Sequence, residues 1–382
     1  MRKALKRLQS GLPAAWYRDP DHHARELEAI WYRGWIAACR EEELPATGDW
    51  RTVQVGTQSV LVARAPEGVR AFHNVCRHRG SVLCSGDSGS FARERIVCPY
   101  HSWTYDLAGK LIATPRRMAT PDFDPGRFPL HQVQVQVWGG FVFICLSRPR
   151  KFDPPGSFKN HRLENLRIGK RIVADVKANW KLLAENFSEC FHCPPVHPEL
   201  CRVITAYKEA GAWGLRGKEA IPEYKPGAAT LTMDGTSRIP AFRNVSAKER
   251  ETLYVPAMLP PNLFLNVQPD YVNSHLMFPT GPESVRIVYD WLFEPEHMPK
   301  GKDLEHYTSL WEVTNQQDAR NCEWQQRGLQ SRAFRNGVYV PQEFDCHRFA
   351  QWVRLTLRAV PDGRGGPSPT SRNRTESRRK QG

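Results

Sequence analysis

The sequence predicts an α+β protein of two domains, an all-β module followed by a domain in which strands and helices are segregated. Three observations lead there. The 382 residues exceed what one core usually organises. From Asp49 to about Leu146, short alternating runs such as "RTVQVGTQSVLVARAPEGVRAF" and "HQVQVQVWGGFVFICL" are split by turn residues, the period of half-buried strands. Beyond a proline-rich junction, strand-like runs cluster ahead of two long helical patterns.

Taken in order, residues 1–41 contain "PDHHARELEAIWYRGWIAAC", where Leu27, Ile30, Trp31, Gly34 and Trp35 recur at helical spacing after a "DPD" start. This predicts an amphipathic helix packing on the second domain. The β module is placed at 42–156 and ends in the charged, proline-rich "SRPRKFDPPGSFKNHRLEN". The second domain, 157–360, should hold a strand ("RIVADVKA"), a helix from about Asn179 and strands "AATLTMDG", "NLFLNVQ", "VNSHLMF" and "SVRIVYDWLF". Helices near 303–333 and 343–358 complete it. Residues 361–382 lack apolar side chains and are expected to form a disordered basic tail.

A net charge of +14 raises a nucleic-acid partner, but residues 1–10 and 361–382 together hold eight of those charges and no nucleic-acid motif accompanies them. Solvated basic ends are the expectation. No run approaches eighteen apolar residues, and the N-terminus lacks the apolar core of an export signal, so a cytoplasmic protein without a membrane span is expected. Ten cysteines in that setting read as thiols and metal ligands.

Within the β module, "NVCRHRGSVLC" and "VCPYHSW" give Cys76, His78, Cys98 and His101 as C-x-H, nineteen residues, C-x-x-H. Each loop delivers one thiolate and one imidazole. Zinc fingers pair like with like over short spacings, whereas a Rieske [2Fe-2S] cluster takes two thiolates on one iron and two imidazoles on the other. The spacing therefore favours the cluster. Cys84 and Cys145 read as buried small hydrophobes, His73 as a packing residue, and Ser102 as a hydroxyl able to donate near the cluster.

The stretch "ENFSECFHCPPVHPEL" reads as a helix end on which Glu189 and His192 share a face. Pro194 and Pro195 then turn the chain so that His197 comes back. Two histidines and a carboxylate make the facial triad of non-haem Fe(II) oxygenases. The carboxylate is sought on the helix near 303–333, where Trp311, Thr314, Asp318, Cys322 and Gln325 form one inward stripe, with Glu312 and Glu323 off it. His192, His197 and Asp318 are the expected iron ligands. A zinc site using Cys190 and Cys193 competes, but neither cysteine shares the face of His192.

"CRHRG" and "CPYHSWTYDLAGKL" closely resemble the fingerprint of the Rieske-type non-haem iron oxygenases, the ring-hydroxylating oxygenase α-subunit family, and the likeness runs from about Leu12 to Trp352. It implies a helix-grip catalytic domain, an antiparallel sheet with a long C-terminal helix. "NQQDARNCEWQQRGLQS" looks like the segment carrying the family's iron-binding aspartate. The resemblance gives Glu189 a role as bridge between His192 and His101 of a neighbouring subunit in a homotrimer. It also implies O2 as co-substrate and NAD(P)H electrons from a separate reductase, since the chain shows no dinucleotide fingerprint. "ENFSECFHCPPVHPEL", "LPPNLFLNVQPDYVNSHLMFP" and "YVPQEFDCHRF" resemble the branch acting on quaternary ammonium compounds such as glycine betaine, stachydrine, choline and carnitine. For that cation Trp213, Phe264, Tyr271 and Tyr207 are candidate cage aromatics. An aromatic-ring hydroxylase and a bare Rieske electron carrier are the alternatives.

Overall fold

A computed structural model describes residues 4–118, 120–148, 151–209 and 223–359. The expected tail and Trp213 lie outside the described residues. The chain opens with β1 (Gln9–Pro13) and α1 (Pro20–Glu26). Asp19 caps α1 by accepting from the Asp21 and His22 amides, with Pro20 in the first turn. The helix continues as a wide turn, Leu27–Trp31, that buries Leu27, Ile30 and Trp31. Gly34 and Trp35 lie beyond it, so the apolar period outlasts the helix.

The first sheet contains β2 (Ile36–Arg40), β3 (Asp49–Val55), β4 (Gln58–Ala65), β5 (Gly68–His73), β6 (Ser88–Ser90), β10 (Gln132–Trp138) and β11 (Phe141–Cys145). Between β6 and β10, β7 (Ile96–Val97), β8 (Thr104–Tyr105) and β9 (Leu111–Ala113) form a small sheet of their own. The seven-stranded order is β2-β11-β10-β5-β4-β3-β6. Residues 36–40 thus belong to this sheet, and the boundary expected after residue 41 falls on the wrong side of its edge strand. "IAACR" is buried on both faces, which hides the period of two that marks other strands.

The second domain begins with β12 (Arg167–Val176), then α2 (Trp180–Phe187), α3 (Cys193–Val196), α4 (Pro198–Val203) and α5 (Ala247–Thr252). β13 (Val255–Leu259), β14 (Leu263–Val267), β15 (Val272–Gly281) and β16 (Ser284–Phe293) follow, then α6 (Lys302–Gly328), β17 (Asn336–Tyr339) and α7 (Phe344–Arg358). The sheet is antiparallel, in the order β12-β16-β15-β14-β13. Side-chain alternation splits it cleanly. Leu263, Leu265, Val272, Leu276 and Leu292 pack toward Phe141 and Phe143 of the β module, while Phe264, Met277, Ile287, Tyr289 and Trp291 join the core beneath the helices. "AATLTMDG" is no strand: Thr230 donates to Asp270, and Asp234 holds Thr232 and Thr236 in a turn closed at Gly235, whose φ is +81°.

The N-terminal segment is joined to β17 through β1 and tied to α2 by charge. Lys181 is fully buried; its ammonium donates to Glu26 at 2.7 Å and to the Trp16 carbonyl at 2.8 Å. Glu26 also accepts from Trp180 Nε1 at 2.9 Å, and one carboxylate oxygen lies 3.0 Å from His22 Nε2. Replacing Lys181 by Met strands a buried carboxylate, so Lys181→Met is expected to destabilise the fold by about 3–5 kcal/mol, read as a lowered thermal midpoint. Adding Glu26→Gln to that variant should restore part of the loss.

Candidate metal centres

The two β-module loops converge. Cys76 closes a turn with its amide on the Ser81 carbonyl (2.8 Å) and Gly80 donating back to its own carbonyl, Gly80 standing at φ +74°. Cys98 does the same with Trp103 and Ser102. The thiols of Cys76 and Cys98 are buried side by side, whereas His78 and His101 are exposed, their ring centres 4.7 Å apart. His78 lies flat on Trp103, which fixes its plane. Two inner thiols beneath two outer imidazoles are the donor set a Rieske cluster needs.

Burial raises the Cys76 thiol pKa, and the Tyr105 hydroxyl, 3.4 Å from Cys76 Sγ, works the other way. Tyr105, which the sequence reading did not single out, is the hydroxyl seated at the Cys76 sulfur. Its position in β8, directly after "HSWT", was the signal available in the sequence. A hydrogen bond worth about 1 kcal/mol corresponds to roughly 40 mV for one electron. Tyr105→Phe is therefore expected to lower the cluster's midpoint potential by that order in a redox titration followed by visible absorption.

The second site forms around the end of α2. That helix stops at Phe187, so Glu189 and His192 do not share a helical face as expected; they share a turn. Glu189 accepts from the Phe191 and His192 amides and sits 2.6 Å from His192 Nδ1. Nor do the prolines end a helix: Pro194 and Pro195 occupy the first turn of α3, where their missing amides cost nothing. That single turn carries His197 round to His192.

His192 Nε2 and His197 Nε2 are 3.1 Å apart, and Asp318 Oδ1 on α6 lies 3.3 Å and 2.9 Å from them. Neighbouring ligands around one cation with bonds near 2.1 Å stand about 3 Å apart, so these three atoms fit one ion. The opposite ring nitrogens are held by Glu189 on His192 and by Gln317 Oε1 on His197, at 2.7 Å. Gln317 in turn donates to Glu199 at 3.0 Å. The neighbour of Asp318 in sequence is thus the orienter that sequence reasoning missed. Burial opposes charging of His192, but Asp318 and Glu189 overcome it and raise its pKa to about 11, a measure of how strongly the two carboxylates favour positive charge here.

The Cys193 sulfur lies within 4.8 Å of a ring nitrogen of each histidine, which corrects the expectation that it is turned away. Asp318 is far closer, and Cys193 is fully buried beside Cys190 with its thiol pKa pushed well up by burial. The α6 stripe runs through Trp311, Thr314, Asp318 and Cys322 but ends on Gln326, with Gln325 exposed. Among the proposed cage aromatics, Phe264 stacks on Phe187 (4.7 Å), whose edge meets His275, and Tyr207 adjoins Cys190. Tyr271 instead holds the Leu231 carbonyl and packs on Phe293 in the core. Phe187, His275 and Tyr289 were not anticipated, since each falls within an unremarkable helix or strand.

A β domain with a mixed Cys/His cluster cradle, joined to a sheet whose helices bring two histidines and an aspartate together, defines a two-centre redox enzyme. Residues 163–359 match the ring hydroxylating α-subunit catalytic domain and residues 34–124 the Rieske [2Fe-2S] domain. The glycine betaine monooxygenase oxygenase subunit of Pseudomonas aeruginosa is 30% identical, over 89% of this chain and 87% of that one. Choline monooxygenase of Beta vulgaris is 28% identical, over 91% and 77%. The structure of the quaternary ammonium Rieske monooxygenase CntA with L-carnitine superposes with a TM-score of 0.70 at 23% identity, covering 92% and 96% of the two chains. The chain belongs to the ring-hydroxylating oxygenase α-subunit family. It is an oxidoreductase that uses a Rieske cluster, a mononuclear iron, O2 and electrons from a reductase. Among the described residues no helix is long and apolar enough to cross a membrane.

Proposed function

We propose that this protein is the terminal oxygenase of a system that hydroxylates an N-methyl group of a quaternary ammonium compound, and that the product loses formaldehyde, giving net N-demethylation. Cys76, His78, Cys98 and His101 would hold the cluster; His192, His197 and Asp318 would hold the iron. The observation that carries the second assignment is the 3 Å triangle of their three atoms with both outer imidazole nitrogens already engaged. When bound, the iron supplies the open positions at which O2 is activated for insertion into a C–H bond.

The chain's own residues do the rest. Glu189 and Gln317 fix the two rings so that Nε2 of each faces the third ligand. The stacked pair of Phe187 and Phe264 would supply the aromatic surface for a methylated cation, and His275, whose pKa burial lowers to about 4, stays neutral beside them. The named activities of the glycine betaine, choline and carnitine enzymes support this substrate class.

The assembly in this reading is a homotrimer in the cytoplasm, where NAD(P)H and the reductase are available. The exposed His78 and His101, and the position of Glu189 on an open cleft, support an electron path from one copy's cluster through Glu189 to the next copy's iron.

Purified protein is expected to be brown, with labile sulfide and about three irons per chain, two in the cluster. Asp318→Ala should keep the cluster's visible spectrum, lose the third iron and cut product formation by more than about a hundredfold. Turnover that persists in this variant removes Asp318 from the ligand set. A screen for formaldehyde with a surrogate reductase, across methylated ammonium compounds and aryl carboxylates, tests the substrate class. Hydroxylated aryl products without formaldehyde from any ammonium compound would replace this reading with ring hydroxylation.

A further inference from the structure

A cleft of about 340 Å³ opens beside the second site, lined by Tyr17, Glu185, Asn186, Glu189, Tyr339 and Glu343 among others. At roughly 30 Å³ per molecule it has room for about ten waters. Two of its walls touch the proposed iron ligands: Glu189 holds His192 Nδ1, and Asn186 Nδ2 lies 3.3 Å from His192 Nε2. Glu185 stands on the same wall. Its carboxylate accepts from Tyr17 at 2.8 and 3.0 Å and from Tyr339 at 2.7 Å, so both oxygens are in place, and among the described residues no basic side chain lies at hydrogen-bond distance. The carboxyl group anchors α2 through these two tyrosines and makes no hydrogen bond to His192, His197 or Asp318.

From this placement we propose that Glu185 relays protons from the cleft to the oxygen chemistry beside His192. The inference rests on the oxygenase reading and supplies what that reading leaves open. Monooxygenation balances as R–H + O2 + two electrons + two protons giving R–OH + H2O: the O–O bond breaks, a C–O bond replaces a C–H bond, and the second oxygen leaves as water. The electrons come from the reductase through the cluster. The protons must cross a protein wall, and Glu189 is poorly suited to carry them, since two backbone amides and His192 already occupy its oxygens.

Glu185 suits the task because it can be an acid near neutrality. Burial raises its pKa to about 7, against the Tyr339 and Tyr17 hydrogen bonds and the Lys181 charge, which lower it. Glu343 pushes the same way as burial. The titratable groups facing it are Tyr17 from the N-terminal segment, Lys181 and Glu189 around α2, Cys322 on α6, Tyr339 on β17, and Glu343 and Cys346 at the start of α7. Lys181 is paired with Glu26, and the tyrosines are the groups that donate hydrogen bonds to the carboxyl.

Two measurements test this in the holoenzyme. Infrared difference spectra should show a carboxylic acid carbonyl band that disappears as pH rises through about 7 in the wild type and is missing in Glu185→Gln. No titrating band overturns the proposal. In single turnover of dithionite-reduced enzyme with O2 and glycine betaine, Glu185→Gln should slow product formation by about tenfold or more. It should also enlarge the solvent isotope effect and release hydrogen peroxide, with Glu185→Asp recovering part of the rate. A wild-type rate, isotope effect and coupling in Glu185→Gln overturn it.

Should Glu185→Gln fail to load cluster and iron, Tyr339→Phe serves instead: removing one donor raises the carboxyl pKa, so the alkaline fall in rate should move to higher pH. An unmoved limb overturns the relay. If wild-type enzyme oxidises no ammonium compound, the substrate reading fails by itself, and the turnover arms run on whichever compound the wild type does oxidise.

Discussion

The constraint on which the rest depends is that the three proposed ligand atoms, two from a loop near residue 195 and one from α6 over a hundred residues later, stay within about 3 Å of each other. A carboxylate on the inward face of a helix is costly without charge opposite it, so Asp318 and the two histidines are mutually dependent. The loop alone could not hold such a tolerance. It is held because α2 is clamped at both ends of its buried face, by Glu26 on Lys181 and by Tyr17 and Tyr339 on Glu185. The N-terminal segment, which contributes nothing to either centre, is therefore part of what positions the second one.

A similar logic joins the two domains. The Asn262 side chain mimics a strand, accepting from the Ala37 amide at 2.9 Å and donating to its carbonyl at 2.8 Å, so β2 is hydrogen-bonded to the second domain as well as to its own sheet. Arg40, almost wholly buried, donates to the Gly139, Leu163 and Leu166 carbonyls. Arg171 on β12 forks across Asp290 and Glu43, and Glu43 also meets Arg51 of the first sheet. Each buried charge is paired or spent on carbonyls, as burial demands. These contacts fix the β module on the outer face of the catalytic sheet, with the helices and the His192 site on the other.

How much of this the sequence disclosed follows from what kind of signal each part leaves. The C-x-H and C-x-x-H loops are local and dense in ligands, and Asp318 stands on a helix whose period was readable, so the donor set could be assembled from text. Local backbone paths were misjudged where two principles compete. Pro194 and Pro195 break a helix or begin one depending on what precedes them, and α2 ending at Phe187 decided for beginning. "AATLTMDG" has strand propensity, but its threonines are spent on Asp270 and Asp234. Contacts such as Gln317 on His197 and Tyr105 on Cys76 depend on tertiary approach and leave no periodic trace.

The charge arithmetic of the second site bears on which substrates it can admit. With Fe(II) held as proposed, the metal's two positive charges face the carboxylates of Asp318 and Glu189, a formal balance of zero. A cationic head group approaching that centre meets no net repulsion. His275, close enough to feel Asp318, is kept neutral by burial, so it adds no opposing charge. Lys181 is cancelled within its own pair. What remains on the cleft wall is the carboxyl groups of Glu185 and Glu343, while the aromatic faces lie at the stacked pair of Phe187, which ends α2, and Phe264. An anionic aryl substrate would find no uncommitted cation among these groups to receive its carboxylate, whereas a methylated ammonium needs only the faces and the neutrality already built in.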